Sequence, residues 1–153
     1  MPRHSETKHL PYSPEQLFDL VADVGRYDEF LPWVSAVRVR SSSETEMVAD
    51  LIVGFNAFKE RFTSRVTKQR PGHICVDYIE GPLKYLKNEW RFDPAHDGGT
   101  NVFFSVDFAF KSRLFETLAG QMFDRALRRM TGAFEQRAAA LYGISRSSAQ
   151  SAA

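Results

Sequence analysis

The stretch RLFETLAGQMFDRALRRMTGAFEQRAAALY (residues 113–142) decides the fold, because it is long, free of proline and apolar at helical spacing. Its apolar side chains recur every three or four residues, as an amphipathic helix requires: Leu114, Phe115, Leu118, Met122, Phe123, Leu127, Met130, Phe134 and Leu141. At 1.5 Å rise per residue such a helix is about 45 Å long, enough to cross a small sheet. Gly143 is a suitable stop.

The segments that precede this helix alternate with the period of two that is typical of strands. Six strands are predicted, over residues 34–39, 47–55, 57–67, 74–80, 84–92 and 102–110. Short connections with turn residues favour an antiparallel meander, since parallel crossovers need a dozen or more residues. Weak alternation over residues 4–10 predicts a short opening strand.

A helix is predicted between the opening strand and the meander. Ser13 can cap it, Pro14 suits its first position, and Gln16 completes a capping box. Gly25 is expected to end it in a left-handed conformation.

Together these elements predict an α+β protein of the helix-grip type, in which a curved antiparallel sheet of about six to seven strands wraps a long C-terminal helix. Residues 1–144 are expected to form one domain. The Ser/Ala-rich tail, residues 145–153, is expected to be disordered.

Composition excludes several classes of function. The chain has 153 residues, of which 43% are hydrophobic, and a formal net charge of +1, so it carries no overall basic charge for wrapping DNA. Its single cysteine, Cys75, fits a reducing compartment. Neither a secretory signal nor a run of about 18 apolar residues is present. We therefore expect a cytoplasmic protein, with peripheral contact at the inner membrane as a further possibility.

The 13 Phe, 5 Tyr and 2 Trp residues either fill a core or line a cavity, and both readings stay open. Inward-facing strand and helix residues are the candidate cavity lining: Phe55, Phe58, Glu60, Phe62, Asn88, Trp90, Phe104, Leu118 and Met122. Glu60 is either a polar anchor for a ligand or a residue that is paired or near the open rim, since an isolated buried carboxylate is very costly. Asn88 is either a satisfied inward amide or a partner for a ligand carbonyl.

Two further features have a structural and a functional interpretation. Gly120 and Gly132 lie inside the predicted long helix, where they either permit close packing on the sheet or leave room for a ligand. Residues 27–33 concentrate aromatic rings beside acidic side chains. Phe30, Leu31, Pro32 and Trp33 are expected to form a gate or a membrane-touching tip, and the alternative is a hydrophobic plug.

Catalytic signals are poor. The four histidines, His4, His9, His73 and His96, lack metal-ligand spacing, and Cys75 lies in a strand pattern, as a small apolar residue does. We predict no catalytic residue, no metal site and no cofactor.

Four segments resemble the coenzyme Q-binding START-like family, within the polyketide cyclase/dehydrase and lipid-transport superfamily. They are YSPEQLFDLVADVGRYDEFLPWV (residues 12–34), GFNAFKERFTSRV (54–66), GPLKYLKNEWRF (81–92) and AFEQRAAALYG (133–143). The resemblance covers residues 5–143. It implies a START/Bet v 1-like fold whose hydrophobic tunnel binds ubiquinone or a related polyisoprenoid lipid, in support of respiratory electron transport.

Bacterial members of this family include the ribosome-association toxin RatA. The resemblance therefore also implies an alternative function, in which the chain binds the large ribosomal subunit and blocks subunit association. A cyclase-type enzyme is the least favoured alternative, since the resemblance brings no catalytic residues. An aromatic-lined tunnel with few polar groups suits a quinone, and transfer of its tail from a bilayer calls for transient membrane contact.

Overall fold

Seven strands and three α-helices make up most of residues 3–55 and 58–143, which are the residues that the computed structural model describes. In chain order the elements are β1 (Arg3–Leu10), α1 (Pro14–Ala22), a 3-10 helix (Val24–Glu29), β2 (Val34–Ser42), β3 (Glu46–Phe55), β4 (Phe58–Gln69), β5 (His73–Glu80), β6 (Leu83–Pro94), β7 (Thr100–Phe110), α2 (Arg113–Arg128) and α3 (Met130–Tyr142). The Ser/Ala tail lies outside the described residues.

The strands form one antiparallel sheet in the order β1-β7-β6-β5-β4-β3-β2. Consecutive strands from β2 to β7 are neighbours, which confirms the predicted meander. Strand β1 returns beside β7, so α1 and the 3-10 helix connect the two edges of the sheet. One face of the sheet packs against the helices, and buried Phe92, Phe104 and Phe108 lie on that face. The helix-grip fold class is confirmed.

Helix α1 begins as the sequence predicts. The Ser13 hydroxyl accepts from the Gln16 backbone N–H at 3.1 Å, and the Gln16 side chain accepts from the Ser13 N–H at 3.0 Å. The predicted left-handed stop at Gly25 is wrong, because α1 ends at Ala22 and Gly25 continues into the 3-10 helix without a positive φ. Here the Tyr27 hydroxyl donates to the Val21 carbonyl, and this bond satisfies one of the last carbonyls of the helix.

The single helix predicted over residues 113–142 is interrupted at Arg129. The Arg129 N–H is shared between the carbonyls of Arg125 at 3.1 Å and Ala126 at 3.2 Å, a bifurcated bond that tightens the last turn of α2. Helix α3 then follows and lies beside α1, while α2 lies against β7 and β3. Gly143, with φ 88°, ends α3 as predicted.

A buried carboxylate lies on the outer face of the sheet, opposite the helices. Asp50 is 4% exposed and accepts two hydrogen bonds, from the Thr63 hydroxyl at 2.6 Å and from Arg40 Nε at 2.9 Å. Burial of the carboxylate acts to raise its pKa, but these two bonds and the charges of Arg40 and Arg61 outweigh it. The pKa of Asp50 therefore lies below its ordinary value.

Because this pKa is depressed in the folded state, Asp50 stabilises the fold above its unfolded pKa of about 3.9, and the stabilisation is lost as pH falls through the lower, folded pKa. We expect Asp50→Asn to lower the free energy of unfolding at pH 7 and to make its decline below about pH 4 shallower. Urea unfolding at several pH values measures both effects. Asp93→Asn, at an exposed carboxylate, is the control. An unchanged slope in Asp50→Asn would show that other carboxylates govern the acid unfolding.

Candidate functional site

A cavity of about 130 Å³ lies between the inner face of the sheet and the helices. Apolar side chains from every strand between β2 and β7, and from α2, α3 and the 3-10 helix, line it. The lining groups with polar atoms are few: Tyr27, Trp33, Ser64, Asn88 and Trp90. Several lining residues are partly exposed, among them Leu51 and Leu86, so the cavity is not sealed.

Aromatic rings pack around this space. The Trp90 ring centroid lies 4.7 Å from that of Phe104 and 5.1 Å from that of Phe134. On the side of α2, Phe62 stacks on Phe123 with centroids 5.7 Å apart. The rings therefore both fill the core and leave an apolar space, so the two interpretations of the aromatic content hold together.

The structure places part of the predicted lining at the cavity. Phe62, Asn88, Trp90 and Phe104 line it. The side chains of Phe55, Phe58 and Leu118 lie outside the part of the chain that the structure describes. Met122 is half-buried and does not line the cavity.

Glu60 does not reach the interior. It pairs with Val53 in the β3–β4 register, on the inward side of the strand, yet its side chain is exposed to solvent. The carboxylate therefore stays hydrated at the margin of the sheet, which agrees with the rim interpretation and not with a buried head-group anchor.

Two polar side chains face the cavity in different states. Asn88 donates from Nδ2 to the Ser105 carbonyl at 2.8 Å and accepts from Trp90 Nε1 at 3.1 Å, so its amide is largely satisfied by the protein. Ser64 makes no side-chain hydrogen bond to any residue in 3–55 or 58–143. Its hydroxyl is thus available to a ligand carbonyl, and it lies two residues from Phe62 on the same strand face.

The segment expected to be a gate is anchored to the fold. Leu31 is 1% exposed and lines the cavity together with half-buried Trp33, whereas Pro32 is exposed. The expectation of an exposed apolar tip is therefore wrong for Leu31, because the turn directs its side chain inward and the turn residue Pro32 outward.

Contacts with α3 hold the same segment. The Phe30 ring lies edge-on to Phe134 with centroids 5.1 Å apart, and Arg137 Nη2 lies 2.5 Å from the Glu29 carboxylate. Burial raises the pKa of Tyr27, and the charge of Asp23 adds to this effect, so the phenol stays protonated and donates to the backbone. These contacts hold the segment against α3, beside the cavity that Leu31 and Trp33 help to line.

The helix glycines do not line the cavity. A β-carbon on Gly120 would meet Glu116 and Phe110 at 3.6 and 3.8 Å, which is ordinary contact, at a separate groove between α2 and β7. A β-carbon on Gly132 would meet no described atom within 4 Å. Close packing therefore does not account for Gly132, and neither glycine makes room in the cavity between the sheet and the helices.

Sequence reasoning missed much of the lining, including Val24, Leu51, Val76, Ala126 and Leu127. The strand residues carry the same alternation that identified Phe62 and Trp90, and Ala126 follows Phe123 at helical spacing. These smaller apolar side chains are less distinctive in a sequence than large aromatic rings.

No helix within residues 3–55 and 58–143 is long and apolar enough to cross a membrane.

Burial, followed by the charges of Glu89 and Asp77, raises the pKa of the Cys75 thiol, which argues against a nucleophilic cysteine.

Comparison with known proteins identifies relatives over most of the chain. The family model described as polyketide cyclase / dehydrase and lipid transport matches residues 10–135. The ribosome association toxin RatA of Rickettsia prowazekii is 40% identical over 136 residues, which cover 86% of this chain and 92% of the toxin.

Two further proteins illustrate the range of relatives. The mitochondrial coenzyme Q-binding protein COQ10 homolog B of Xenopus laevis is 36% identical over 92% of this chain, which spans 59% of that protein. An 18 kDa protein of Caulobacter crescentus with a known solution structure is 40% identical, with a TM-score of 0.71, and the match covers 94% of this chain and all of the other.

Proposed function

Because the chain belongs to the polyketide cyclase/dehydrase and lipid transport family, we propose that it is a non-enzymatic binding protein whose cavity takes the head group of ubiquinone or a related prenylated lipid. The observation that carries this proposal is the cavity itself, an apolar space of about 130 Å³ between sheet and helices with few polar groups. Apolar sites with a small number of orienting polar groups are typical of such ligands.

The size of the cavity limits what enters it. An apolar cavity of about 150 Å³ accommodates a single benzene ring, so a space of about 130 Å³ holds at most the core of one substituted quinone ring and not a long isoprenoid tail. The free hydroxyl of Ser64 and the remaining capacity of Asn88 supply orienting contacts for carbonyl oxygens. The tail must then stay in a membrane or displace α2 from the sheet, and transient membrane contact meets the first condition.

Binding to the ribosome is the second candidate function, and the names of the relatives favour it over ubiquinone binding. Proteins named ribosome association toxin RatA from Rickettsia, Pseudomonas and Escherichia are 33–40% identical and are covered over 90–93% of their length. Four exposed arginines lie on the outer face of the sheet, where phosphate contacts are made by such residues: Arg38, Arg40, Arg61 and Arg65. Arg40, Arg61 and Arg65 also pair with Asp50, Glu80 and Glu46, so phosphate would compete with these carboxylates. This face is opposite the cavity, so the two roles use different surfaces.

One pair of measurements separates the candidates. If the chain is a lipid-binding protein, mass spectrometry of organic extracts of the purified protein is expected to recover a prenylated quinone in near-stoichiometric amount. If it is ribosome-directed, ligand-free protein added to ribosomal subunits is expected to sediment with the large subunit and to reduce the yield of joined particles. Empty extracts, together with no exchange of added short-tailed ubiquinone, would overturn the lipid proposal.

A further inference from the structure

Three side chains that can ligate a metal ion converge on the outer face of the sheet, away from the cavity. They are His73 and Cys75 of β5 and Glu89 of β6, and their ligand atoms all lie within 4.8 Å of one another. His73 Nε2 is 2.7 Å from Glu89 Oε2 and 3.5 Å from Cys75 Sγ. Within residues 3–55 and 58–143 this is the group of three such donors that lies close enough to share one ion.

Strand geometry produces the cluster. His73 and Cys75 are two residues apart on β5, so their side chains point to the same face. Cys75 is directly opposite Glu89 in the β5–β6 register, and His73 is opposite Arg91. A slip of one residue in this pairing would send Glu89 to the other face. The donors therefore sit on a rigid strand pair and not on loops.

One donor separation already has the value that a tetrahedral ion requires, a second is close to it, and the third, between Cys75 and Glu89, lies within 4.8 Å. Metal–nitrogen and metal–oxygen bonds of about 2.0–2.2 Å and a metal–sulfur bond of about 2.3 Å place neighbouring ligands roughly 3.3–3.7 Å apart. The separation of 3.5 Å between sulfur and imidazole already has this value. The imidazole–carboxylate separation of 2.7 Å is a hydrogen bond, and it must open by less than about 1 Å to admit the ion.

We propose that His73, Cys75 and Glu89 form a binding site for Zn²⁺, with a fourth position for water or a small ligand. Thiolate, imidazole and carboxylate together match the ligand preference of Zn²⁺, whereas Mg²⁺ and Ca²⁺ take oxygen ligands alone. The three donors supply two negative charges, which neutralise the ion.

Neighbouring groups support the site. Arg91 Nη1 lies 3.6 Å from Glu89 Oε2, and the Arg91 guanidinium is held 4.1 Å above the centre of the Phe103 ring, which orients the carboxylate from outside. His73 and Glu89 side chains are 33% and 30% exposed, so an ion in solution can reach them. If His73 and Glu89 formed only an ion pair, the Cys75 thiol beside them would have no role in it.

The proposed metal site and the cavity lie on opposite faces of the same two strands, β5 and β6. Ile74 lies between His73 and Cys75, it pairs with Trp90, and both Ile74 and Trp90 line the cavity on the opposite face. A cation that ties β5 to β6 therefore fixes the strand pair that carries part of that wall.

Titration of the purified, metal-free protein with Zn²⁺, and with Co²⁺ as a spectroscopic probe, tests the proposal. We expect one equivalent of Zn²⁺ to bind and Co²⁺ to give a thiolate-to-cobalt charge-transfer band. Cys75→Ser should abolish the band, and His73→Gln and Glu89→Gln should each weaken Zn²⁺ binding by at least about 10-fold.

His9→Gln is the matched control, because His9 forms a comparable pair with Asp97 at 3.0 Å on the surface. It should leave binding and spectrum unchanged. Circular dichroism of each variant shows whether it is folded. Binding without a sulfur band, or binding that persists in folded Cys75→Ser and Glu89→Gln, would overturn the proposal, as would the absence of binding to the parent protein.

Discussion

Replacing Leu31 with serine is expected to lower the free energy of unfolding by about 2–5 kcal/mol, the range for removing a buried leucine side chain. Leu31 is 1% exposed and lines the cavity, and the serine hydroxyl would find few partners among the apolar residues there, which adds to the cost. For a chain of this size the melting temperature should fall by about 10 °C. Chemical and thermal unfolding of ligand-free protein measure the change.

Leu114→Ser is the matched control, since Leu114 is 68% exposed. The same chemical change there should alter the free energy of unfolding by about 0.5 kcal/mol or less. If Leu31→Ser keeps the parent melting temperature and instead changes the rate at which an apolar probe enters the protein, the segment opens in solution and is a gate. A large loss of stability with unchanged probe entry identifies it as a plug.

The fold could be predicted from sequence because several local signals, each from a different part of the chain, agree. Period-two alternation, turn residues and short connections identified six strands and their antiparallel order, and the capping box at Ser13 and Gln16 identified the start of α1. Each of these signals is local and independent of the rest of the fold. The apolar face of the predicted C-terminal helix could then be buried on one surface, the concave face of the sheet.

The interruption at Arg129 was not predictable in the same way. Apolar spacing continues through residues 127, 130 and 134, so periodicity alone describes one helix. The break depends on where α1 and the sheet lie, because α3 packs beside α1 while α2 packs on β7. Tertiary packing determines where a long helix is interrupted, and the spacing of apolar residues does not show that position.

Side-chain direction limited the prediction of the site in a similar way. Alternation placed Phe62 and Glu60 on one strand face, but how far the sheet is covered by helices determines that Phe62 is buried and Glu60 is exposed. The proximity of His73, Cys75 and Glu89 could not be predicted for a related reason. His73 and Cys75 are adjacent on a strand face, yet Glu89 joins them only through the β5–β6 register, which the sequence does not state.

Filling the cavity is expected to separate ligand binding from stability. Ala126 of α2 is 7% exposed and lines the cavity, so Ala126→Phe directs a ring into a space of about 130 Å³, close to the volume that accepts a benzene molecule. We expect binding of a short-tailed ubiquinone to fall by at least about 10-fold, because losing the apolar contacts of a ring removes more than the 1.4 kcal/mol that a factor of ten requires.

The stability of the same variant should change little or rise, since filled cavity volume is favourable by about 24 cal/mol per Å³ while imperfect fit costs about 1–3 kcal/mol. Ala126→Leu, a smaller addition, guards against overpacking, and Ala140→Phe, at an exposed position of α3, controls for the added ring. Binding and melting temperature are measured on all three. Normal ubiquinone binding by a stably folded Ala126→Phe would show that the ligand does not occupy this cavity, because the ring and the quinone cannot share one space. Lost binding at full stability, with Ala140→Phe unaffected, would place the head group between α2 and the sheet.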